Sequence, residues 1–570
     1  MYEYPNNKSG SRIKDWNSAP DAVILEILGY LLPWDVLRAG QTCRNWNRLS
    51  YDELLWKYML IRHFHIDSSS QIGPGKTWYS EYRRLVYETP LICSEVLRSH
   101  RNEVLHVSFS HDGTMFATCS KDSSIIVWHS SHPVKMKYRH DMKMFRWKYT
   151  QLSQFNKSDT LLLVSGVHFG STASHSGEIA VFSLQDGFNL QCRVGNKPSD
   201  IFGTWYSDSY LISGDWYSLG GMVSTTGLWL NKASQLLRQE TESEQTPILN
   251  NLFRFYNTNA SSIHLITMAD CKEGCKLVPL PKLNPNPNLH IEDLNNTVIK
   301  PLPSEERRIN DEEESDSDTD EDEELLDQPE KLLIFITGSK TYIPHQIGFK
   351  KIPRVNFPKV LKRGLSVKER LAKQKERSAT SPGPNWQDYN KVSDKFDRID
   401  HVMDLHGHII GMCLSPDHRY LYVNCRSWPK GYLITHALEP PPIAQEIDIH
   451  IIDLVELCEV SKILVSHKAH TPNNECPYIY LDVSEEYVAS GAENNHGYLW
   501  DRNYSICLAR MPHADIVNSV AFNPVDSSML VTTSDDFEIK VWRSKEFLDE
   551  RIGRKERHQM LHATPIIKKC

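Results

Sequence analysis

Three segments of the chain share four residues at nearly fixed spacing, and this repeat limits the possible folds more than any other feature. In each segment a Ser or Thr lies ten residues before a Trp, and an Asp or Asn lies six residues before it. A His lies 28 to 30 residues before the same Trp. Internal repetition of this kind predicts an array of similar structural units. The three sets are His100, Thr118, Asp122 and Trp128; His470, Ser490, Asn494 and Trp500; and His513, Thr532, Asp536 and Trp542.

These four residue types can form one buried hydrogen-bond network. The His can donate to the Asp and accept from the Ser or Thr hydroxyl, whose oxygen can accept the indole N–H, so that every buried polar group has a partner. The sets resemble the structural tetrads of WD repeats, which implies a β-propeller. The alternative is that His100 or His513 is a metal ligand or a catalytic base. We favour the structural role, because a His held in such a network is fixed on both nitrogens.

Weaker strand patterns between the tetrads predict seven blades over residues 91–545. Without two inserts, at about 271–330 and 351–398, the region gives about 48 residues per blade, near the ~40–45 of WD repeats. Residues 90–97 are expected to add a strand to the last blade and close the ring. The chain is therefore predicted to be mainly β with a small α domain. The second to seventh blades are expected at 161–184, 200–230, 252–350 interrupted by the acidic insert, 408–454, 468–501 and 513–543.

Residues 15–62 carry apolar residues at helical spacing and predict a bundle of three short helices. The second helix is expected to run through Val36, Ala39, Cys43 and Trp46, and Asp52 is expected to cap the third helix. Residues 63–90 are predicted to form a linker helix, and residues 546–570 a tail.

The two inserts carry opposite charge. Residues 305–330 hold 15 acidic and 2 basic side chains, whereas residues 350–377 hold 11 basic and 2 acidic ones. Both are predicted to be disordered, because like charges repel and few apolar groups are available. The acidic insert is interpreted as a solvated loop, with phosphorylation by an acidophilic kinase as the alternative. The basic insert is interpreted as a nuclear-import patch or as a loop that pairs with the acidic one. Candidate phosphosites are Ser315, Ser317, Thr319 and Ser381.

Several classes of function are disfavoured. The N-terminus lacks a secretory h-region, and no run of about 18 apolar residues predicts a membrane span. Net charge is −8, so no broad basic surface for nucleic acid is expected. The 12 scattered cysteines suggest reduced thiols, which favours a cytoplasmic location and leaves the nucleus open. Cys271 and Cys275 have no second pair at zinc spacing, so no metal or cofactor is expected.

The segment PDAVILEILGYLLPWDVLRAGQTCRNWNRLSYDELLW resembles an F-box. It has a Pro near its start, an ILEIL helix, a Leu-Pro break, a Cys-Arg-x-Trp step and a final Leu-Trp. An F-box followed by a WD propeller is the arrangement of the F-box/WD-repeat family. The resemblance is closer still to subfamily 5, through the stretches YTQLSQFNKSDTLLLVSGV, SGEIAVFSL, TYIPHQIG, HGHIIGMCLSPDHRYLYVN, PPPIAQEID and SGAENNHGYLWDRNYSICLAR.

This resemblance implies a non-catalytic substrate receptor of a cullin–RING ubiquitin ligase. The F-box would dock on a Skp-type adaptor bound to a cullin-1 scaffold, and the propeller would bind targets for ubiquitination and proteasomal degradation. Family targets include regulators of centrosome duplication and of actin or growth signalling. The sequence departs from the F-box pattern at Ala19, where Leu is usual. Some of the residues that match the adaptor-binding pattern would line the adaptor contact, and others would support it as bundle core. The matching residues are Pro20, Ile24, Leu25, Leu28, Leu31, Leu37, Cys43, Trp46, Leu55 and Trp56.

Two other functions stay open. The subfamily also resembles receptors of cullin-4 ligases, which carry Trp-Asp-x-Arg at the end of a blade. Here Asp501 and Arg502 are candidate contacts with that second adaptor, but Asn503 holds the place of the Arg. The other alternative is a propeller scaffold with no ligase.

The residues just before each tetrad Asp or Asn are candidates for the target-binding face. They are Lys121, Glu493 and Asp535. One positive and two negative groups form no arginine cluster that would bind a phosphate. We therefore expect the propeller to recognise an unphosphorylated target surface.

Overall fold

The computed structural model describes residues 19–73, 75–168, 176–185, 187–220, 223–233, 251–257, 262–277, 323–324, 330–352, 357–358, 396–439, 442, 444–460, 464–468 and 477–552. They divide into two units. The first contains the described residues of Met1–Ile92, Asp501–Leu508 and Arg543–Cys570, and the second those of Cys93–Trp500 and Ala509–Trp542.

The first unit begins with a bundle of four helices. Asp52 caps the helix that it was predicted to cap, which is the fourth helix in the structure. Its carboxylate accepts hydrogen bonds from the backbone N–H groups of Leu54 and Leu55 at 3.0 and 3.3 Å. Ile24, Leu28, Val36 and Trp56 are among the buried apolar side chains of the bundle. The helices are α1 (Asp21–Tyr30), α2 (Pro33–Gly40), α3 (Arg44–Ser50) and α4 (Glu53–Phe64).

The expected second helix is split in two, so the prediction of three helices is wrong. The Thr42 hydroxyl donates to the carbonyl oxygen of Ala39 at 2.7 Å, and Cys43 is extended with φ −155° and ψ 164°. Gly40 ends α2 and packs against Ser50, whose Oγ would lie 2.3 Å from an added Cβ. Glycine is a poor helix former and a side-chain hydroxyl competes for backbone partners. Apolar spacing continues through this break, which is why the pattern alone predicted one helix.

Helical structure in the linker is shorter than the predicted 63–90. The described residues between Phe64 and Trp78 contain no helix. Helix α5 (Trp78–Arg83) then begins at a capping box formed by Thr77 and Ser80, and it continues as a π-helical turn over Arg84–Glu88. Helix α6 (Lys545–Ile552) lies where a tail was expected.

The second unit forms a seven-bladed β-propeller of antiparallel sheets. Each blade has four principal strands, and hydrogen bonds join the first strands of some neighbouring blades, as where Phe522 N donates to Asp482 Oδ2 at 2.7 Å. The blades are β2 (Val104–Phe109), β3 (Met115–Ser120), β4 (Ser124–His129), β5 (Lys135–Asp141); β6 (Trp147–Phe155), β7 (Leu161–His168), β8 (Gly177–Ser183), β9 (Leu190–Asn196); β10 (Thr204–Trp205), β11 (Tyr210–Gly220), β12 (Val223–Lys232), β13 (Asn251–Asn257); β14 (His264–Asp270), β16 (Lys331–Thr337), β17 (Gln346–Ile352), β19 (His401–Asp404); β20 (Gly407–Leu414), β21 (Tyr420–Ser427), β22 (Glu446–Asp453), β23 (Cys458–Glu459), with β24 (Leu464–Lys468) also paired to β22; β25 (Leu481–Val483), β26 (Tyr487–Ser490), β27 (His496–Asp501), β28 (Cys507–Pro512); and β29 (Val517–Phe522), β30 (Met529–Ser534), β31 (Ile539–Arg543), completed by β1 (Ile92–Leu97).

Strand β1 completes the seventh blade, as residues 90–97 were predicted to do. It pairs with β31, and the Ser94 hydroxyl donates to the carbonyl oxygen of Val541 at 3.1 Å. A segment that precedes the first blade in the chain therefore covers the outer edge of the last one.

The boundary between the third and fourth blades differs from the prediction. Asn251–Asn257 was assigned to the fourth blade, but it is the outer strand β13 of the third. Phe253 lies opposite Leu228 of β12, and Phe255 is fully buried in the same cluster. An alternating apolar pattern marks a strand without showing which neighbour it pairs with.

The edges of both inserts belong to the fold. Residues 271–277 are described, with Cys271 N bonded to the carbonyl oxygen of Glu330 at 2.7 Å. Lys351 and Ile352 end β17, and Phe396 is fully buried. Glu323–Glu324 (β15) pairs with Phe357–Pro358 (β18), a short contact between the two inserts that involves no basic residue. The predicted insert bounds are therefore too wide at these edges.

Two chain-wide expectations can be compared with the structure. Among the described residues, no helix combines the length and apolar composition that a membrane span requires. Nine described cysteines are free thiols, whereas Cys507 is disulfide-bonded, so the prediction of reduced cysteines is wrong at this position.

Candidate functional site

The structure brings the first predicted tetrad together. His100 Nδ1 lies 3.1 Å from Asp122 Oδ2, and His100 Nε2 lies 2.9 Å from Thr118 Oγ1. Trp128 Nε1 donates to the same hydroxyl at 3.0 Å, and Arg101 N donates to Asp122 at 2.9 Å. Burial alone would raise the pKa of Asp122, but the hydrogen bonds, first of all that from His100, outweigh it and hold this pKa well below its usual range.

The seventh blade repeats the same arrangement. His513 Nδ1 lies 2.9 Å from Asp536 Oδ2, His513 Nε2 lies 2.8 Å from Thr532 Oγ1, and Trp542 Nε1 donates to that hydroxyl at 3.0 Å. Burial lowers the pKa of His513. Both ring nitrogens have protein partners, which favours the structural role over a metal or catalytic one. Within the described ranges, no cluster of His, Cys, Asp or Glu could hold a metal ion.

The sixth-blade tetrad is described only in part, because His470 lies outside the described residues. The Ser490 hydroxyl accepts from Asn424 Nδ2 at 2.9 Å, so it bonds to a residue of the fifth blade. Asn494 Nδ2 donates to the hydroxyl of Tyr498 at 2.6 Å, and the Trp500 ring stacks on that tyrosine with centroids 5.5 Å apart.

The second blade holds a different buried network, which the sequence analysis missed. Trp147 Nε1 donates to the carboxylate of Glu178 at 2.5 Å, and Arg193 Nη2 bonds both carboxylate oxygens at 2.8 and 2.9 Å. Glu178 is 1% exposed. The Trp is on the first strand of the blade rather than the third, so an alignment on the tetrad Trp does not find it.

The connections that carry the tetrad His and Asp residues define one side of the ring, here called the tetrad face. Lys121 lies on it with a 43% exposed side chain and an ion pair to Glu103. Glu493 does not: its side chain is fully buried in an ion pair with Arg426, so its prediction as a target-face residue is wrong. Neither its charge nor its position before Asn494 shows that an arginine from the fifth blade covers it.

Asp535 lies on the tetrad face beside the first blade. It accepts from Asn518 Nδ2 at 2.6 Å, and the same amide donates to the carbonyl oxygen of Val104 at 3.1 Å. Burial, together with a smaller contribution from the neighbouring Glu103 carboxylate, raises the pKa of Asp535 to about 6.

Aromatic rings from three blades meet inside the ring of first strands. Tyr480, just before β25, contacts His106 of β2 with centroids 4.8 Å apart. Tyr478 contacts Phe202, just before β10, at 5.2 Å. Tyr478 and Tyr480 are stacked at 6.3 Å. Because the first, third and sixth blades are not neighbours in the ring, these contacts place the rings in the central channel. Tyr480, Phe202 and His106 are buried, whereas Tyr478 is partly exposed.

Asp200 lies near these rings on the tetrad face. It belongs to a short helical turn, Ser199–Ile201, in the connection that leads into β10, the position that holds the tetrad His in the first and seventh blades. Its side chain is 37% exposed, and Oδ2 lies 3.6 Å from His264 Nδ1. Burial raises the pKa of Tyr478 well above its usual value, and the Asp200 carboxylate raises it further. The sequence analysis missed Asp200, Tyr478 and Tyr480, although their places at the starts of first strands could be found by extending the tetrad alignment.

The residues predicted to bind an adaptor fall into two groups in the bundle. Four of them form core, and Trp56 Nε1 donates to the carbonyl oxygen of Ser50 at 2.7 Å. These four support the bundle as core, which was one of the two roles expected of the set, because the apolar spacing of a helix does not tell core from surface. The buried residues are Ile24, Leu28, Leu55 and Trp56; the exposed one is Pro20; and the partly exposed ones are Leu25, Leu31, Leu37, Cys43 and Trp46.

The bundle exposes other large apolar side chains that were not predicted as contacts. Leu54 and Tyr30 are 75% and 76% exposed, and Tyr58 is 57% exposed. The remaining members of this set are Val23, Leu32 and Tyr51. So many exposed apolar groups on a small bundle indicate a protein-binding surface. We call these six residues the bundle surface.

The prediction that Asp501 contacts a second adaptor is wrong. Its side chain is fully buried and pairs with Arg84 Nη2 at 2.6 Å. Its other carboxylate oxygen accepts from the backbone N–H groups of Asn503 and Tyr504 at 3.0 and 2.7 Å. Arg502 is partly exposed. The candidate phosphosites Ser315, Ser317, Thr319 and Ser381 lie outside the described residues.

Comparison with known proteins agrees with both modules. Residues 16–62 match the F-box-like family, and residues 91–129 and 505–543 match the WD domain, G-beta repeat family. An F-box-like bundle in one chain with a seven-bladed WD propeller defines an F-box/WD-repeat protein.

Full-length relatives narrow this class. The chain is 41% identical over 561 residues to F-box/WD repeat-containing protein 5 of Homo sapiens, covering 92% of this chain and 94% of the relative. It is 40% identical over 565 residues to the protein of the same name in Rattus norvegicus, with the same two coverages. WD repeat-containing protein 26 homolog of Drosophila melanogaster is 31% identical over only 98 residues, or 17% of this chain and 15% of that relative. The chain therefore belongs to the F-box/WD repeat-containing protein 5 family.

Proposed function

We propose that this protein is the substrate-recognition subunit of a Skp–cullin–F-box ubiquitin ligase. The bundle binds a Skp-type adaptor on a cullin-1 scaffold, and the propeller binds the target, which is ubiquitinated and degraded by the proteasome. The chain contributes proximity and orientation rather than chemistry, by raising the effective concentration of a target lysine near the charged conjugating enzyme.

The observation that carries this proposal is the bundle surface. A bundle with Leu54 and Tyr30 about three-quarters exposed gains by burying them against a partner. Apolar anchors of this size dominate protein–protein interfaces when they fill pockets of the partner. The F-box-like match over residues 16–62 points to a Skp-type adaptor as that partner.

Co-purification of the full chain with a Skp-type adaptor and cullin-1 tests the proposal. The double variant L54S/Y58S is expected to lose the adaptor while its melting temperature stays close to that of the wild type. V525S is the matched control, because Val525 is 71% exposed on a propeller turn. Adaptor binding that is unchanged in L54S/Y58S would contradict the proposed docking surface.

Two alternatives make different predictions. A cullin-4 receptor would need the turn after Trp500, but Asp501 there is buried against Arg84, which disfavours this route. A scaffold without a ligase would not retain the adaptor at all. The cullin captured with the full chain distinguishes the three functions.

We also propose a cytoplasmic location, with the basic insert as a candidate signal for nuclear entry. Imaging of the tagged full chain tests this, and deletion of residues 359–395 is expected to reduce any nuclear fraction. Targets that regulate centrosome duplication are proposed from the family resemblance alone, and proteins captured while the proteasome is blocked test them.

A further inference from the structure

The mouth of the propeller channel on the tetrad face combines carboxylates with aromatic rings. We define the channel mouth as Glu103, Lys121, Tyr149, Asp200, Tyr478, Tyr480 and Asp535. Asp200 and Phe202 lie on the same connection into β10, and Phe202 contacts Tyr478 with centroids 5.2 Å apart. A carboxylate that is 37% exposed therefore lies beside the partly exposed ring of Tyr478.

A second observation indicates that this place binds something. Tyr480 is only 8% exposed, and within the part of the chain that the structure describes its hydroxyl has no protein partner, although it is not among the fully buried polar atoms. Its contacts are made by the ring, to His106, Phe202 and Tyr478. The Asp200 carboxylate contributes to a raised pKa of Tyr480, after burial, which is the larger cause. A largely buried tyrosine whose hydroxyl has no protein partner is suited to meet a polar group of a ligand with that hydroxyl.

The charge around the mouth is mainly negative. Glu103 and Asp535 lie on one side, and the Lys121 ammonium is already paired with Glu103. A second cation, the exposed Lys148, has its Nζ 5.9 Å from the centroid of the Tyr149 ring, so Glu103, Asp200 and Asp535 outnumber the cations by one; Arg426 is buried with Glu493. Tyr149 links the two sides, because both Asp200 and Lys121 act on its pKa, which burial raises. An anion would meet net repulsion here, whereas a cation would be attracted.

We propose that the channel mouth binds a lysine or arginine side chain of an unphosphorylated target segment. Asp200 accepts its N–H groups, the Tyr480 hydroxyl accepts one more, and the ring of Tyr478 provides a cation–π face. Asp200 Oδ1 accepts from the Ser199 hydroxyl at 3.1 Å and Oδ2 lies 3.6 Å from His264, but a carboxylate has about four lone-pair sites, which leaves room for this bond. The inference rests on the proposed function, since it assigns the class of target segment that the propeller binds.

The test uses the full chain purified with its Skp-type adaptor and immobilised. Short random peptide pools that differ only in a fixed central residue are offered: Arg, Lys, Nε-acetyl-Lys, Glu or phosphoserine. The Arg and Lys pools are expected to be retained over the other three. D200N, Y478A and Y480F are each expected to reduce this retention, with D200N lowering it about tenfold.

D526N is the matched control, because Asp526 is an exposed carboxylate on the turn before β30 and away from the mouth. Melting temperatures of all variants show whether they fold, and Y480F removes only one hydroxyl, so it keeps the test valid if Y478A does not fold. Equal retention of the Arg and Glu pools, or unchanged retention by folded D200N and Y480F, would overturn the proposal. Adaptor co-purification is scored separately: its loss refutes the ligase function, whereas its presence with no preference for basic peptides refutes only this inference.

Discussion

Arg84 and Asp501 form a buried ion pair between residues that are 417 positions apart in the chain. Their side chains are 6% and 0% exposed, and the Nη2–Oδ2 distance is 2.6 Å. Glu81 accepts from the same guanidinium at 2.9 Å and from the hydroxyl of Tyr504 at 3.2 Å. Both ends of this network belong to the unit that contains the bundle. The Asp of the Trp500-Asp501 pair is therefore an internal structural group.

Removal of one partner should expose how much this network stabilises the protein. R84M leaves Asp501 buried without its cation, which typically costs about 3–5 kcal/mol. We expect a clear loss of stability in chemical denaturation followed by helical signal, while R44M, at an exposed position, stays within about 0.5 kcal/mol of the wild type. An equally small effect of R84M would show that the ion pair is replaced by solvent.

In the bundle, different residues contribute to the stability of the fold and to adaptor binding. W56A removes a buried indole and its hydrogen bond to Ser50, and Trp to Ala changes in cores cost about 3–5 kcal/mol. We expect W56A to lower the melting temperature and to lose the adaptor as a consequence of unfolding. L54S should lose affinity for the adaptor at unchanged stability. If W56A melted like the wild type and only lost the adaptor, Trp56 would be a contact residue after all.

The tetrads should act on stability and not directly on target binding. D122N removes a charge that accepts from His100, Arg101 and the Ser124 backbone, and we expect a loss of about 1–3 kcal/mol at neutral pH. The folded-state pKa of Asp122 is depressed, so its contribution is present above the unfolded value of about 3.9 and is lost as pH falls through the folded value. Denaturant titrations at several pH values should therefore show wild type and D122N converging only in strong acid. Loss of target binding at unchanged stability would contradict the structural role.

His106 in the channel should make the propeller sensitive to mild acid. Burial lowers its pKa to about 3, whereas an unfolded His titrates near about 6.5. Between these values the unfolded chain binds a proton that the folded chain does not, so stability falls with decreasing pH by about 1.4 kcal/mol per unit. H106Q should weaken this dependence between pH 6.5 and 5, by about 2 kcal/mol in total. The matched control, H111Q, changes an exposed His of the same blade; an unchanged slope in H106Q would contradict the assignment.

The tetrads show what the sequence determines about this fold. Four residue types at fixed spacing can satisfy one another only in a blade, so the tetrads that end at Trp128 and Trp542 predicted the propeller. The apolar segment before the first tetrad His then predicted the strand that closes the ring. The assignment of β13 to the third blade and the helix break at Gly40 could not be predicted in this way. Pairing partners and helix ends depend on contacts with residues distant in sequence, such as Leu228 for Phe253 and Ser50 for Gly40.

The functional residues were harder to predict than the fold, because burial decides their role. Glu493 and Asp501 carry charges that suggest a surface, yet each is covered by an arginine from elsewhere in the chain. Leu55 and Trp56 match a pattern in which the neighbouring Leu54 is the exposed residue. Asp200 and Tyr480 lie at the starts of first strands, where an extended tetrad alignment could find them, but only the meeting of non-adjacent blades brings them together.

The pairing of β1 with β31 joins a strand that is translated early to one that is translated near the end of the chain. Strand β1 leaves the ribosome before any blade exists, and its partner, Ile539–Arg543, is among the last segments to follow. Until then the nascent propeller has an open sheet edge at each end, and such edges recruit strands from other chains. A premature stop before Ile539 would leave β1 unpaired although the bundle that precedes it is complete. Such a truncated product could still occupy an adaptor while its propeller could not close, so loss of only the last 32 residues would turn a receptor into a competitor of intact receptors.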